Sequence, residues 1–324
     1  MRIGIDCRKI FDFGIGTYVR GLVRGLAEIE AAEDYVLFAP SRAIDALPPR
    51  FERIAVDIPS YTIRELFAFR SHRLDLFHAP DINVPFVDCP TAVTIHDLIR
   101  LHYPPRNPIA RAYVRFMTKR ALRNSAVVLT VSETSRRQID APNVVVTPNG
   151  IDARFFEPHD TPRGDYFLFA GNDKPHKNVA RLVEAARGLP LVLAGGDFPG
   201  GRGFVSDDAL LALYRGALAL VLPSLEEGFG LPAAEAMACG TPVIVSNTPA
   251  LVELTGDAAL HVDPQSIDSI REAMLRVRDD AALRESLSAK GRERARMFTW
   301  RRCAELTREA YLAAAGRRPA SLRG

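Results

Sequence analysis

The chain has 324 residues, 47% of them hydrophobic, which suits two domains with cores of their own and is too apolar for a disordered chain. Lys and Arg number 42 against 39 Asp and Glu, and a net charge of +3 gives no general affinity for nucleic acid. Cys7, Cys89, Cys239 and Cys303 lack Cys-x-x-Cys or metal-ligand spacing, so they read as reduced thiols of a cytoplasmic protein rather than as a disulfide framework. The start, MRIGIDCRKI, is expected to be a strand with no signal peptide before it, and no apolar run reaches the ~18 residues of a membrane span.

In chain order, Arg2 to Asp6, Tyr35 to Ala39, Leu74 to His78, Thr91 to His96 and Ala126 to Val131 read as short buried strands. Thr17 to Ile29 and Ile109 to Arg123 carry apolar residues at helical spacing. Val144 to Val146 closes this first series, and Ala153 to Gly164 reads as a linker. A second series opens with Tyr166 to Ala170, Leu191 to Ala194, Ala217 to Leu222 and Pro242 to Ser246, again with helices between. Alternating strands and helices imply parallel sheets with right-handed crossovers. The expected fold is therefore α/β, with two Rossmann-like domains whose sheets face across a cleft. Residues 1–150 form the first domain and 151–299 the second. Residues 300–324 supply a helix, Trp300 to Ala315, crossing back to the first domain, and an Arg-rich tail from Gly316 that is expected to fray.

Three segments carry residues suited to an anionic, hydroxyl-rich ligand. Gly14 and Gly16 lie between the first strand and the first long helix, where backbone N–H groups can approach an anion; as a turn that merely closes a strand-helix unit they would look the same. Ala170 to Asn178 (AGNDKPHKN) places two lysines and a histidine after the first strand of the second series, which suits a diphosphate as well as a solvated loop. Ser224 to Ser246 (SLEEGFGLPAAEAMACGTPVIVS) sets Glu227 and Glu235 eight positions apart, around a glycine turn and a helix started by Pro232. Carboxylates accept only, which suits vicinal hydroxyl pairs; two acids favouring a helix N-terminus would explain the charge but not the intervening turn.

That last segment closely resembles the signature of the family 4 retaining glycosyltransferases, enzymes of the GT-B fold. RIGIDCRKI…GIGTYVRGL, TIHDL, VLTVSETSRRQI, VTPNGID, FAGNDKPHKN and GFVSDDALLALYRGA extend the resemblance over nearly the whole chain. Within the family it points to bacterial polysaccharide assembly, O-antigen mannosyltransferases included. The resemblance implies a nucleotide-diphosphate sugar as donor, with GDP-mannose favoured over UDP- and dTDP-sugars, and a saccharide or lipid-linked saccharide as acceptor. Glu235 would accept from the ribose hydroxyls and Glu227 from the donor sugar, with the N–H groups of Phe229, Gly230 and Leu231 lining sugar and phosphate. Lys177 would neutralise the diphosphate, and the Gly14–Gly16 turn would close on it. His96 would sit beside the donor sugar near the reacting centre. Arg202 to Ser206, Val205 among them, would border the nucleobase. Catalysis would thus rest on His96, Lys177 and Glu227.

Many relatives carry an arginine where this chain has Asn172, so the diphosphate would rely on Lys177, with Lys174 near by and Asn172 offering an amide. No Asp-x-Asp occurs, which implies a reaction without a metal ion or other cofactor. Arg100 to Arg123 holds seven basic residues and no acidic ones; it suits the inner face of an anionic membrane or a solvated face of a core helix. The competing functions are another GT-B enzyme such as a nucleotide-sugar epimerase and a non-catalytic nucleotide-sugar-binding homologue; a Rossmann oxidoreductase is disfavoured because neither half has a complete dinucleotide fingerprint.

Overall fold

The structure is a computed structural model that describes residues 1–59, 62–69 and 72–316; the Arg-rich tail from residue 317 lies outside the described residues. The chain divides into two compact units, Met1–Gly150 with Thr299–Gly324, and Ile151–Phe298.

Unit 1 contains β1 (Arg2–Asp6), α1 (Phe13–Glu28), β2 (Asp34–Ala39), β3 (Glu52–Ala55), β4 (Leu76–Ala79) and β5 (Thr91–Thr94). It continues through α2 (Ile99–His102), α3 (Pro108–Asn124), β6 (Val127–Thr130), α4 (Glu133–Gln138) and β7 (Val144–Val146). Its sheet is parallel, in the order β3-β2-β1-β4-β5-β6-β7. Successive strand residues point to opposite faces, and the pattern sorts them into two cores. Ile3, Ile5, Tyr35, Leu37 and Leu129 face the core that contains α1, whereas Val36, Phe38, Phe77, Val93 and Val128 face the core that contains α3. A sheet buried on both sides reads as continuous apolar runs, which is how these strands appear in the sequence. Asn107 starts α3 by accepting from the N–H groups of Ile109 and Ala110, and Pro108 follows in the first turn.

Unit 2 contains β8 (Phe167–Ala170), α5 (Val179–Ala185), β9 (Leu191–Ala194), α6 (Asp207–Gly216), β10 (Ala219–Leu222) and α7 (Leu231–Ala238). It continues with β11 (Val243–Ser246), α8 (Pro249–Thr255), β12 (Leu260–Val262), α9 (Ile267–Asp279) and α10 (Ala281–Ala295). Its sheet is also parallel, in the order β12-β11-β10-β8-β9. The order reverses direction between β8 and β10, and in unit 1 between β1 and β4. At such switch points the loops leaving the two strands diverge and open a crevice at the carboxyl edge.

The last helix, α11 (Trp300–Ala315), belongs to unit 1 and packs along α1. Gly21 and Gly25 make this approach possible: a Cβ on Gly21 would lie 2.0 Å from Cε2 of Trp300, and one on Gly25 would lie 2.3 Å from its carbonyl oxygen. Arg308 then holds Glu33 through two hydrogen bonds of 2.8 and 2.9 Å. Deeper in the same contact His78 and Thr94 stand on the α1 side of the sheet, bonded to each other at 2.8 Å. Tyr18 of α1 reaches Thr94 at 2.9 Å, and Tyr311 of α11 reaches the other ring nitrogen of His78 at 2.7 Å. Burial, reinforced by His96, lowers the His78 pKa to about 3, so the ring is neutral and both nitrogens are satisfied.

Three elements depart from the sequence reading. α1 begins at Phe13, not Thr17, so Gly14 and Gly16 lie inside the helix: the Gly16 N–H donates to the Asp12 carbonyl at 3.0 Å, and only Gly14 stands among the first positions, whose N–H groups lack intrahelical acceptors. β3 and β12 were not expected; both are short edge strands with partly exposed residues, and a half-polar run of three or four residues gives no periodic signal.

Trp300 is the one tryptophan in the chain, so its fluorescence reports the α1–α11 contact. Gly21→Ala forces the ring away from α1. The expected result is a red-shifted emission and a loss of about 1–3 kcal/mol in a denaturant titration. An unchanged spectrum and midpoint would contradict the packing described.

Candidate functional site

The unit 2 switch point is built by two loops, Gly171–Asn178 after β8 and Pro223–Gly230 after β10. They are tied together before any charge is considered. Asn178 adopts the left-handed conformation (φ 59°) that asparagine tolerates better than most residues. Its amide donates to the carbonyl oxygens of Pro223 at 3.0 Å and Pro264 at 2.6 Å, and its oxygen accepts from Arg181 at 2.8 Å. The N–H of Leu225 returns the link to the His176 carbonyl at 2.7 Å. This frame sets Lys177 against Glu227, Nζ to Oε1 at 2.6 Å, with side chains only 11% and 8% exposed. Ser224 Oγ donates to the same Oε1 at 2.7 Å. One carboxylate oxygen thus takes an ammonium and a hydroxyl. An ammonium has three donors, so Lys177 retains capacity for a further anion.

The turn after Glu227 leads into α7. Gly230 sits at its N-cap with φ 100°, and a Cβ there would meet Leu251 Cδ2 at 2.5 Å, so conformation and space both require glycine. Phe229 is buried with its ring edge-on to Phe298 at 5.4 Å. Leu231 and Pro232 form the first turn of α7, and Glu235 is the only charged residue along that helix. Its Oε2 accepts from the buried Tyr214 hydroxyl at 2.9 Å; Oε1 has no partner among the described residues. Burial raises the Glu235 carboxyl from its ordinary 4.5 to about 7; the Tyr214 hydrogen bond and the Arg154 charge pull it down, while Asp207 and Asp152 push it up.

Several expected site residues stand elsewhere. Asn172 uses its side-chain oxygen within its own loop, accepting from Lys174 N–H at 3.3 Å, and Lys174 has no carboxylate partner among the described residues. Val205 is half-buried just before Ser206, which caps α6 by accepting from Ala209 N–H at 3.2 Å. Gly14 and Gly16 belong to unit 1 and differ from each other. A Cβ on Gly16 would lie 2.6 Å from the Ile10 carbonyl, a packing reason for glycine, whereas around Gly14 the space is open.

His96, also in unit 1, follows β5. Its Nε2 lies 3.1 Å from the Pro80 carbonyl, and its ring is edge-on to Tyr18 at 4.8 Å. A carbonyl only accepts, so Nε2 carries the proton and Nδ1 is the acceptor of the neutral ring. Burial lowers its pKa, opposed by Asp81 and the Pro80 carbonyl and assisted by Lys9. At the unit 1 switch point Lys9 pairs with Asp81, and Arg8 bridges Asp6 at 2.6 Å and Glu65 at 2.8 Å.

Sequence reading missed Ser224, Asn178 and Tyr214 as contributors. Ser224 and Asn178 stand inside segments singled out for other residues, and Tyr214 looks like one more apolar position of α6. Their roles arise from long-range pairings that spacing does not encode.

Residues 14–155 match the family model described as Glycosyltransferase Family 4, and residues 202–294 match that described as Glycosyl transferases group 1. The chain belongs to the family 4 glycosyltransferases. The O-antigen chain mannosyltransferase B of Escherichia coli is 29% identical to this glycosyltransferase over 92% of this chain and 95% of its own length. The O-antigen chain mannosyltransferase RfbU of Salmonella typhimurium is 32% identical over 56% of this chain, a match spanning 59% of that relative. Sucrose-phosphate synthase from Thermosynechococcus elongatus has the same fold, with a TM-score of 0.75 at 23% identity over 97% of this chain and 100% of that one. The two parallel-sheet units are those of a GT-B glycosyltransferase.

The raised Glu235 pKa has a consequence for stability. Between its ordinary 4.5 and about 7 the folded state holds a proton that the unfolded chain releases, so this residue's contribution to stability falls as pH rises through that window. Glu235→Gln removes the effect. At pH 8 the variant is expected to be more stable than the parent by about 1–2 kcal/mol, and near pH 4.5 the difference should close. Thermal melts across that range check it.

Proposed function

We propose that this glycosyltransferase moves mannose from GDP-mannose to a saccharide or lipid-linked saccharide acceptor in polysaccharide assembly, retaining the anomeric configuration and using no metal ion. The observation that carries the reading is the Lys177–Glu227 pair at the unit 2 switch point, with Glu235 eight residues on. The choice of mannose follows from the two O-antigen mannosyltransferases among the relatives.

Each group has a chemical task. The C1–O bond to the β-phosphate breaks, the acceptor oxygen bonds C1 from the same face, and the acceptor's proton passes to the departing diphosphate. The Lys177 ammonium offsets the charge that develops on GDP. The second oxygen of Glu227 accepts from sugar hydroxyls, while Oε1 stays on Lys177 and Ser224. The N–H groups at the N-terminus of α7, at Gly230 and Leu231, suit phosphate oxygens. Glu235 accepts from the ribose. Catalysis is then electrostatic stabilisation and positioning, with no protein nucleophile.

The test is transfer from GDP-mannose, UDP-glucose and dTDP-glucose to lipid-linked acceptors, with the product anomer assigned by NMR. Lys177→Ala should lower kcat by roughly 10²–10³-fold. Chelator should leave the rate unchanged. Transfer from a different donor, an inverted product, or activity lost to chelator and restored by metal would each overturn its part of the reading.

A second surface bears on the acceptor. No helix among the described residues is long and apolar enough to cross a membrane. On α3, however, Ile109 is 80% and Phe116 66% exposed, and Arg111, Arg115 and Lys119 are exposed around them. Apolar side chains ringed by cations on one helix suit peripheral attachment to an anionic bilayer. Sedimentation with phosphatidylglycerol vesicles should be lost when Arg111, Arg115 and Lys119 are changed to Glu. Unchanged sedimentation would end the proposal.

A further inference from the structure

We propose that Tyr214 is a positioning residue of the nucleotide site: its hydroxyl holds Oε2 of Glu235 at 2.9 Å and so leaves Oε1 directed to the ribose hydroxyls. The inference rests on the reading of Glu235 as the ribose acceptor and names the group that makes it effective.

The geometry singles out Tyr214 because the residue cannot move. It is fully buried in the last turn of α6, a helix begun by the Ser206 cap and the first-turn acids Asp207 and Asp208. The Thr241 hydroxyl donates to its carbonyl at 2.6 Å, and Tyr166 donates to the neighbouring Leu213 carbonyl at 2.9 Å. The Phe155 ring packs edge-on at 6.0 Å. Burial and the Glu235 charge hold the phenol far above its ordinary pKa, so it keeps its proton and donates at every working pH. Glu235, by contrast, is a flexible side chain on a helix of small residues. Unrestrained, it would lose rotamer freedom each time a nucleotide bound. With one oxygen tethered, that loss is incurred on folding instead.

The same contact acts on charge. Only the ionised carboxylate is an acceptor without a donor of its own, and hydroxyl pairs need acceptors. The groups facing Glu235 are Tyr214 and Asp207 from α6, Asp152 and Arg154 from the start of unit 2, and Cys239 at the end of α7. Of these, Tyr214 and Arg154 favour the carboxylate and the two aspartates oppose it. Removing the Tyr214 hydroxyl therefore moves ionisation of Glu235 to higher pH.

The experiment is calorimetric titration with GDP and 2′-deoxy-GDP, and with UDP and 2′-deoxy-UDP, at pH 6, 7 and 8. The proteins are the parent, Tyr214→Phe, Glu235→Ala and the double variant. The parent should prefer the ribonucleotide by about tenfold or more at pH 8, as expected for hydrogen bonds to a charged acceptor. Tyr214→Phe should shrink that preference to about two- to threefold, leave 2′-deoxynucleotide affinity within about twofold, and shift the onset of preference to higher pH. In the Glu235→Ala background Tyr214→Phe should add nothing. Equal weakening of both nucleotides by Tyr214→Phe, or a preference and pH profile like the parent's, would overturn the inference while leaving Glu235 in place. A ribose preference that survives Glu235→Ala, or a parent that binds neither GDP nor UDP, would overturn the site reading and this inference with it.

Discussion

The ion pair of Lys177 and Glu227 is the constraint on which unit 2 is organised. Two charged side chains that are each about nine-tenths buried are costly to remove from water, and a bare pair would not repay that cost. Here the surroundings supply the missing bonds. Ser224 donates to the shared carboxylate oxygen, and Asn178 clamps the lysine loop to the carbonyls that end β10 and precede α9. The result is a pair of loops that diverge from adjacent strands yet meet at their tips. In the function proposed, an arriving diphosphate finds its cation already in place, held by donors and acceptors that need not reorganise.

Unit 1 uses buried polarity differently. His78, Thr94, Tyr18 and Tyr311 form a chain of hydrogen bonds through the layer between sheet and helices. The chain ends on α11, the helix that returns after unit 2 is complete. Along its length α11 gains its place by close contact, the Trp300 ring lying where a side chain of Gly21 would be and the Trp300 carbonyl where one of Gly25 would be. Packing supplies the attraction and the hydrogen bonds fix which face of α11 is inward. A neutral histidine between two hydroxyls is compatible with a dry core; a charged one is not.

Much of this was legible in the sequence. Parallel strands buried on both faces must be apolar throughout, so Phe167–Ala170 and Ala219–Leu222 announced themselves. Pro232 and the glycine before it marked the start of α7, because proline loses nothing in a first helical turn and Gly230 has a backbone few other residues accept. Glu227 and Lys177 were identifiable as strand-end residues from the apolar runs that precede them. The edge strands β3 and β12 were not, since one half-exposed turn of chain carries no period.

The sequence by itself determined the alternation of strands and helices, the family, and the carboxyl-edge positions of Lys177, Glu227 and Glu235, because those depend on local spacing and local backbone chemistry. Tertiary structure alone decided what those groups touch. Nothing local joins Lys177 to Glu227 across fifty residues, Tyr214 to Glu235 across twenty-one, or Tyr311 to His78 across most of the chain. Strand order brings such partners together, and strand order is set by which crossovers bury the most apolar surface over the whole domain. Gly14 and Gly16 show the same limit at short range: alike in sequence, one is fixed by a carbonyl 2.6 Å from where its Cβ would stand, and the other faces open space.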